Sequence, residues 1–192
     1  ALTSQSLNVH AGHDDVMGVA DTGGGILFAR NAQEAADLTA IARRAAEDSE
    51  TPFLVCQDGF LTTHTLENVL LPEDELLRDY VGDPRTRLRD LFSPRDALMT
   101  GVVQNQDSYM KGRIAQRAYY DRLSDAVRGA MAEWTALTGR PYGLVDGYRT
   151  EDAETILVRV ELDRPQPPRV TQREPPTIRE PQREAVPFRD LT

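Results

Sequence analysis

The chain has 192 residues, enough for one domain with a hydrophobic core. Its formal net charge is −9 and its pI is near 4.9. That balance argues against non-specific nucleic-acid binding, which needs a basic footprint, and against docking on anionic membranes. A single cysteine, Cys56, leaves no internal disulfide and cannot supply the four thiolates of an iron–sulfur cluster. It fits a reducing, cytoplasmic setting. No apolar run approaches the ~18–20 residues of a membrane span. The opening stretch Ala1–Val9 has no initiator Met and no charged n-region, so it reads as a chain entered mid-domain.

Ser6–Ala11 alternates weakly and predicts a short strand. Asp14 or Asp15 is expected to cap a short helix reaching Ala20. Gly23-Gly24-Gly25 predicts a tight turn, and Ile26–Ala29 is a buried-type strand run. Asn31 with Glu34 three residues on has the form of a capping box. The helix behind it should run to about Ser49, with Leu38, Ile41, Ala42 and Ala45 as its apolar stripe. Pro52 ends that helix, and Phe53–Cys56 predicts a second buried strand. Residues 24–56 therefore read as a β-α-β unit of a parallel sheet covered on both faces. Residues 68–108 are rich in Pro and charge, with a helical stretch around Glu73–Val81.

A long helix is expected from Ile114 to about Thr138. Its stripe is Ile114, Ala118, Leu123, Val127, Ala130, Met131, Trp134 and Leu137; Gly139 is its C-cap and Pro141 its stop. Tyr142–Tyr148 and Thr155–Leu162 predict two further strands. From Arg164 onward the composition changes: seven of the twelve prolines fall there, which predicts an extended or disordered tail over 164–192.

All three histidines lie in two short segments, His10-x-x-His13-Asp14-Asp15 and Asp58-Gly59-Phe60-Leu61-Thr62-Thr63-His64. Imidazole and carboxylate are metal ligands, so His10, His13, Asp58 and His64 could build a metal-dependent hydrolase site. The spacing lacks the i, i+4 pattern of a metalloprotease helix, and backbone-bonded turns explain these residues more simply. Asp58 and Gly59 leave a strand at its carboxyl end, where open α/β sheets bind ligands. Gly23–Gly25 is not a dinucleotide or P-loop fingerprint. Cys56, in an apolar strand, is expected to be an inert thiol.

Four segments resemble the N-terminal domain of the 2-oxoacid:ferredoxin (flavodoxin) oxidoreductases, the family of pyruvate:ferredoxin oxidoreductase. They are Ser6–Val16; Thr22-Gly23 with Gln33-Glu34-Ala35-Ala36-Asp37-Leu38; Pro52–His64; and Gly101–Tyr109 with Ala118-Tyr119-Tyr120 and Thr138–Tyr142. Together they cover about residues 4–160. The resemblance implies a mostly parallel, open α/β sheet with helices on both faces, incomplete at its N-terminus, over residues 1–163. It implies oxidative decarboxylation of a 2-oxoacid to acyl-CoA on thiamine diphosphate, with orientation and charge supplied by protein. Mg²⁺ and the cofactor's diphosphate are expected on another domain, and iron–sulfur clusters on other domains or chains.

The resemblance also places the family's Thr, its Glu facing the aminopyrimidine and its carboxylate-binding Arg upstream of Ala1. Val9, His10, Gly12 and His13 are then expected to line the cofactor or substrate pocket, and Asp58, Gly59, Phe60 and His64 to form a turn near it. Asp21 and Leu61 stand where relatives frequently carry Arg. The implied partners are the remaining domains or subunits, ferredoxin or flavodoxin, and coenzyme A, in a homo- or hetero-oligomer; by itself the chain is expected to be inactive. A non-catalytic, truncated interaction module using the Pro-rich tail is the other alternative.

Overall fold

The computed structural model describes residues 12–88, 92–97, 99–148 and 150–156. The expected strand over Ser6–Ala11, pocket residues Val9 and His10, and the Pro-rich tail lie outside the described residues.

Two strands, β1 (Gly25–Ala29) and β2 (Phe53–Gln57), flank helix α2 (Ala32–Ser49). The strands pair in parallel, Gly25 opposite Phe53 through Ala29 opposite Gln57. This is the β-α-β unit expected from the sequence, and it is the sheet among the described residues. Its sharpest local determinant is the glycine run. A Cβ on Gly25 would sit 2.3 Å from the Phe53 ring, and Gly23 holds φ +92° with Tyr120 against it. Gly23–Gly25 is therefore a close-approach turn that lets β1 pair with the chain leaving Pro52.

Helix α2 starts where Asn31 accepts the Glu34 amide at 2.8 Å. The reciprocal bond departs from the usual capping box. Glu34 accepts from the backbone N–H of Arg30 at 2.9 Å, and Arg30's guanidinium folds onto the same carboxylate. Leu38, Ile41, Ala42 and Ala45 are all buried.

Alternation along the strands sets two faces. Leu27, Ala29, Phe53 and Val55 join the core with α2, whereas Phe28 points the other way and meets the His13 ring at 4.9 Å. That second face belongs to the chain entering α1 (Asp14–Gly18). The helix is not capped by Asp14 or Asp15. His13 occupies the N-cap position in a left-handed conformation, φ 41°, and makes no side-chain cap bond; Asp15 instead accepts from the next residue's amide. The helix also stops at Gly18, and a single 3-10 turn, Ala20–Thr22, follows.

Downstream, α3 (Asp74–Val81) and α4 (Pro84–Arg87) interrupt the long excursion. Next comes α5 (Gln106–Thr138), closed by Gly139 at φ 72° as expected. It starts eight residues before Ile114, and only its C-terminal half is packed. Val127, Ala130, Met131 and Trp134 are buried, while Ile114 and Leu137 of the expected stripe are exposed. Trp134 packs edge-to-face on Tyr80 at 4.8 Å, and the Tyr80 hydroxyl donates to the Ala130 carbonyl at 2.8 Å. Arg44 lies over the same tyrosine ring and pairs with Glu133 at 3.0 Å, joining α2, α3 and α5 around one core.

Further sequence expectations fail. Strand β2 is not a continuous buried run: Leu54 is exposed and its neighbours are half-buried. Tyr142–Tyr148 forms no strand, because its polar atoms are committed elsewhere. The Tyr142 hydroxyl donates to Asp37 and Asp146 pairs with Arg30, so the segment lies along the start of α2 instead of joining a ladder. Thr155 and Ile156 are likewise not in a strand, and the rest of that expected strand lies outside the described residues.

Candidate functional site at the carboxyl ends of the strands

Both strands run toward the same edge, where the chain makes two polar turns. β2 ends at Gln57 and passes directly into Asp58, which is buried. Its Oδ1 accepts the amide of Phe60 at 2.8 Å and that of Leu61. A carboxylate bonded to two following amides closes a tight turn. Gly59 faces open space at this bend. The turn presents Phe60 stacked on His64, ring centroids 4.6 Å apart, with Thr63 Oγ1 3.2 Å from His64 Nδ1. Phe60 is 40 % exposed and His64 is exposed, so the pair forms an aromatic ledge open to a ligand or a neighbouring surface.

Gly12 and His13 make the second turn. Gly12 is exposed, and His13 is held half-buried by Phe28. The Asp58 turn follows β2 and His13 packs on Phe28 of β1, so the two histidines rest on different aromatic partners. Asp15 reaches this region too: its charge, after burial, helps push the Cys56 thiol upward. Cys56 is therefore held as a thiol at neutral pH, in line with an inert side chain rather than a nucleophile.

The carboxyl end of β1 carries Arg30, a natural candidate to grip an anion, but its charge is already used. Nε donates to Glu34 at 2.8 Å and an amino group to Asp146 at 3.0 Å, and the Glu34 hydrogen bond holds its pKa above the ordinary guanidinium range. Beneath it lies a node that sequence reasoning missed. Asp37 is fully buried on α2. Arg140 grips it with two bonds of 2.5 and 2.8 Å, the Tyr142 hydroxyl donates at 2.6 Å and Gln33 at 3.1 Å. Burial opposes the Asp37 charge, but bonds from Arg140 and Tyr142 outweigh it and hold the carboxyl below its usual range. Burial and the Asp37 bond push Tyr142 above its ordinary value. The available signal was a carboxylate four residues before Ile41, on the buried side of an amphipathic helix.

Among the described residues, no three His, Cys, Asp or Glu side chains come together to hold a metal ion. Of the hydrolase set, His10 lies outside the described residues, and Asp58 is spent on its own turn. The described residues here present an aromatic pair, Phe60 on His64, and the tight turn held by Asp58.

Comparison with known proteins decides the family. The family model for the thiamine-diphosphate-binding domain of pyruvate flavodoxin/ferredoxin oxidoreductase matches residues 1–132. The chain belongs to this family. It is 35% identical over 160 residues to a pyruvate-flavodoxin oxidoreductase of Klebsiella pneumoniae, covering 82% of the chain and 14% of that protein. It is 32% identical over 157 residues to the pyruvate synthase subunit PorA of Methanothermobacter thermautotrophicus, covering 81% of the chain and 40% of the subunit. A pyruvate-flavodoxin oxidoreductase of Nostoc is 31% identical over 163 residues, with 82% of the chain and 39% of that protein covered. The chain thus spans well under half the length of these relatives. Both turns and the whole β-α-β unit fall inside the family match, whereas Arg140 and Tyr142 lie beyond residue 132. The α/β fold with a parallel sheet agrees with a thiamine-diphosphate domain of this family. No helix among the described residues is long and apolar enough to cross a membrane.

Proposed function

We propose that the chain is a component of a cytoplasmic, pyruvate-type 2-oxoacid:ferredoxin or flavodoxin oxidoreductase. It forms one wall of the thiamine-diphosphate pocket and part of the surface on which neighbouring domains pack. The observation that supports this reading is the Asp58 turn at the carboxyl end of β2, with His13 packed on Phe28 of the paired strand, in a chain of this family. When bound, thiamine diphosphate supplies the carbanion chemistry of decarboxylation.

The chain's own contribution is positional. Asp58 fixes the turn by accepting two amides, which sets the Phe60–His64 ledge. Gly12 and His13 shape the neighbouring wall, with Val9 and His10 extending it. Thr63 beside His64 Nδ1 orients that imidazole. Mg²⁺ with the diphosphate, the iron–sulfur clusters, coenzyme A and the electron acceptor are assigned to other domains or chains. One cysteine cannot supply the four thiolates of a cluster.

Calorimetric titration with thiamine diphosphate and Mg²⁺ tests the assignment. The 192-residue chain alone should show no saturable binding, and its assembly with the remaining domains should bind. Saturable binding by the chain alone would overturn the wall assignment. An assembly that binds and turns over equally well with this chain left out would overturn the component assignment.

A further inference from the structure

One groove and one helix face have no role in the pocket wall, and neither includes a residue of its turns. The groove lies between α3 and α5 and encloses 400 Å³. Leu76, Tyr80 and Leu137 form its apolar floor, and Glu73, Glu75, Asp79 and Glu133 its rim. Arg44 neutralises Glu133, but Glu73, Glu75 and Asp79 are exposed. The opposite character appears on the N-terminal half of α5. Met110, Arg113, Ile114 and Arg117 fall within one face at helical spacing. Met110 is 66 % exposed and Ile114 is 65 % exposed; both arginines are exposed too, Arg113 donating to Gln116 at 2.8 Å and Arg117 lying 3.7 Å from Asp121.

These surfaces match in kind. Two apolar side chains flanked by guanidinium groups face an apolar floor rimmed by carboxylates. They occupy different parts of one chain, so the match can be made only between copies, in a head-to-tail contact. We infer that the Met110–Arg117 face of α5 docks into the α3–α5 groove of a second copy of this chain. Met110 and Ile114 cover Leu76 and Leu137, while Arg113 and Arg117 meet Glu75 and Asp79. Shielding apolar groups on both sides supplies the drive, and the charges fix partner and register. The contact does not depend on the cofactor reading, and a failure of either leaves the other standing.

Sedimentation velocity of the 192-residue chain tests it, run from micromolar to near-millimolar concentration. The expected result is concentration-dependent association that weakens with salt, because exposed charges are screened beyond about 10 Å at 0.1 M. Arg113→Glu with Arg117→Glu should weaken association by about tenfold or more, as should Glu75→Arg with Asp79→Arg. An equimolar mixture of the two double variants should associate again, since each restores the other's charge pairing. Circular dichroism on each variant separates lost contact from lost fold. A monomer throughout the range overturns the inference. Association that ignores both reversals, or variants that do not rescue one another, also overturns it.

Discussion

At the scale of single residues, the Asp37 node joins three parts of the chain through one buried carboxylate. Arg140 and Tyr142 arrive from beyond α5 to hold Oδ2, and Gln33 ties the other oxygen, Oδ1, to the loop at Leu70. Removing one partner of a buried, hydrogen-bonded charge costs more than the pair is worth, because the other charge stays desolvated. Tyr142→Phe is the mildest probe, since it deletes one hydroxyl and keeps the ring. It should lower stability at pH 7 by about 1.5 kcal/mol, the usual scale of a hydrogen bond to a charged group.

The pH dependence follows from the two directions of shift. Asp37 is depressed in the fold, so its contribution is complete above its ordinary value of 3.8 and is lost as pH falls through the folded value. Tyr142 is raised, so its contribution persists through neutral pH and is lost as pH climbs past its ordinary value of 10.0 toward the folded one. Urea unfolding from acid to alkaline pH should show both limbs in the parent. In Tyr142→Phe the alkaline limb should flatten and the acid limb should shrink. An unchanged alkaline limb would mean that the hydroxyl is not held by Asp37.

At the scale of elements, α2 was legible because its signals are local. Asn31 caps it, Pro52 follows it, and its apolar stripe repeats at three and four. Strand β1 was legible for the same reason. The start of α5 was not, since Gln106–Arg113 carries no apolar periodicity toward the core and Asn105 gives no side-chain cap. The false strand at Tyr142–Tyr148 has a different cause: its tyrosine and aspartate serve partners more than a hundred residues away, which spacing alone does not reveal. The candidate site divides likewise. That the Asp58 turn lies at a strand end followed from the β-α-β reading. The left-handed His13 backbone and its rest on Phe28 depend on tertiary packing.

The strand pairing itself is testable at Gly25. A methyl there would overlap the Phe53 ring, and overpacking of this kind costs about 1–3 kcal/mol. Gly25→Ala should therefore destabilise strongly in the parent and far less in a Phe53→Ala background, a coupling visible in a double-mutant cycle. Additive losses would mean that Phe53 does not lie across Gly25 and that the parallel register is wrong.

At the scale of the whole molecule, the buried core among the described residues lies in β1, β2, α2, α3 and the C-terminal half of α5. Large apolar side chains elsewhere meet solvent: Leu66, Phe92, Met99, Val103 and Val145 are all highly exposed. They lie in the excursion between β2 and α5 and in the segment after α5, beside further exposed apolar side chains on α5 itself, Met110, Ile114 and Leu137. Exposed apolar surface concentrated in this way marks sites of association more often than it marks free surface. The relatives are about twice to several times as long as this chain, so they carry further chain that could cover such a surface. Assembly with the remaining domains should then slow hydrogen exchange across 60–72 and 92–105 while leaving α2, already buried in the isolated chain, nearly unchanged. The contrast between segments matters more than the total, because general stabilisation by a partner would raise protection in α2 as well. Equal slowing everywhere would point to simple mass-action stabilisation of the fold. No slowing in the excursion would remove the case that it is an interdomain surface.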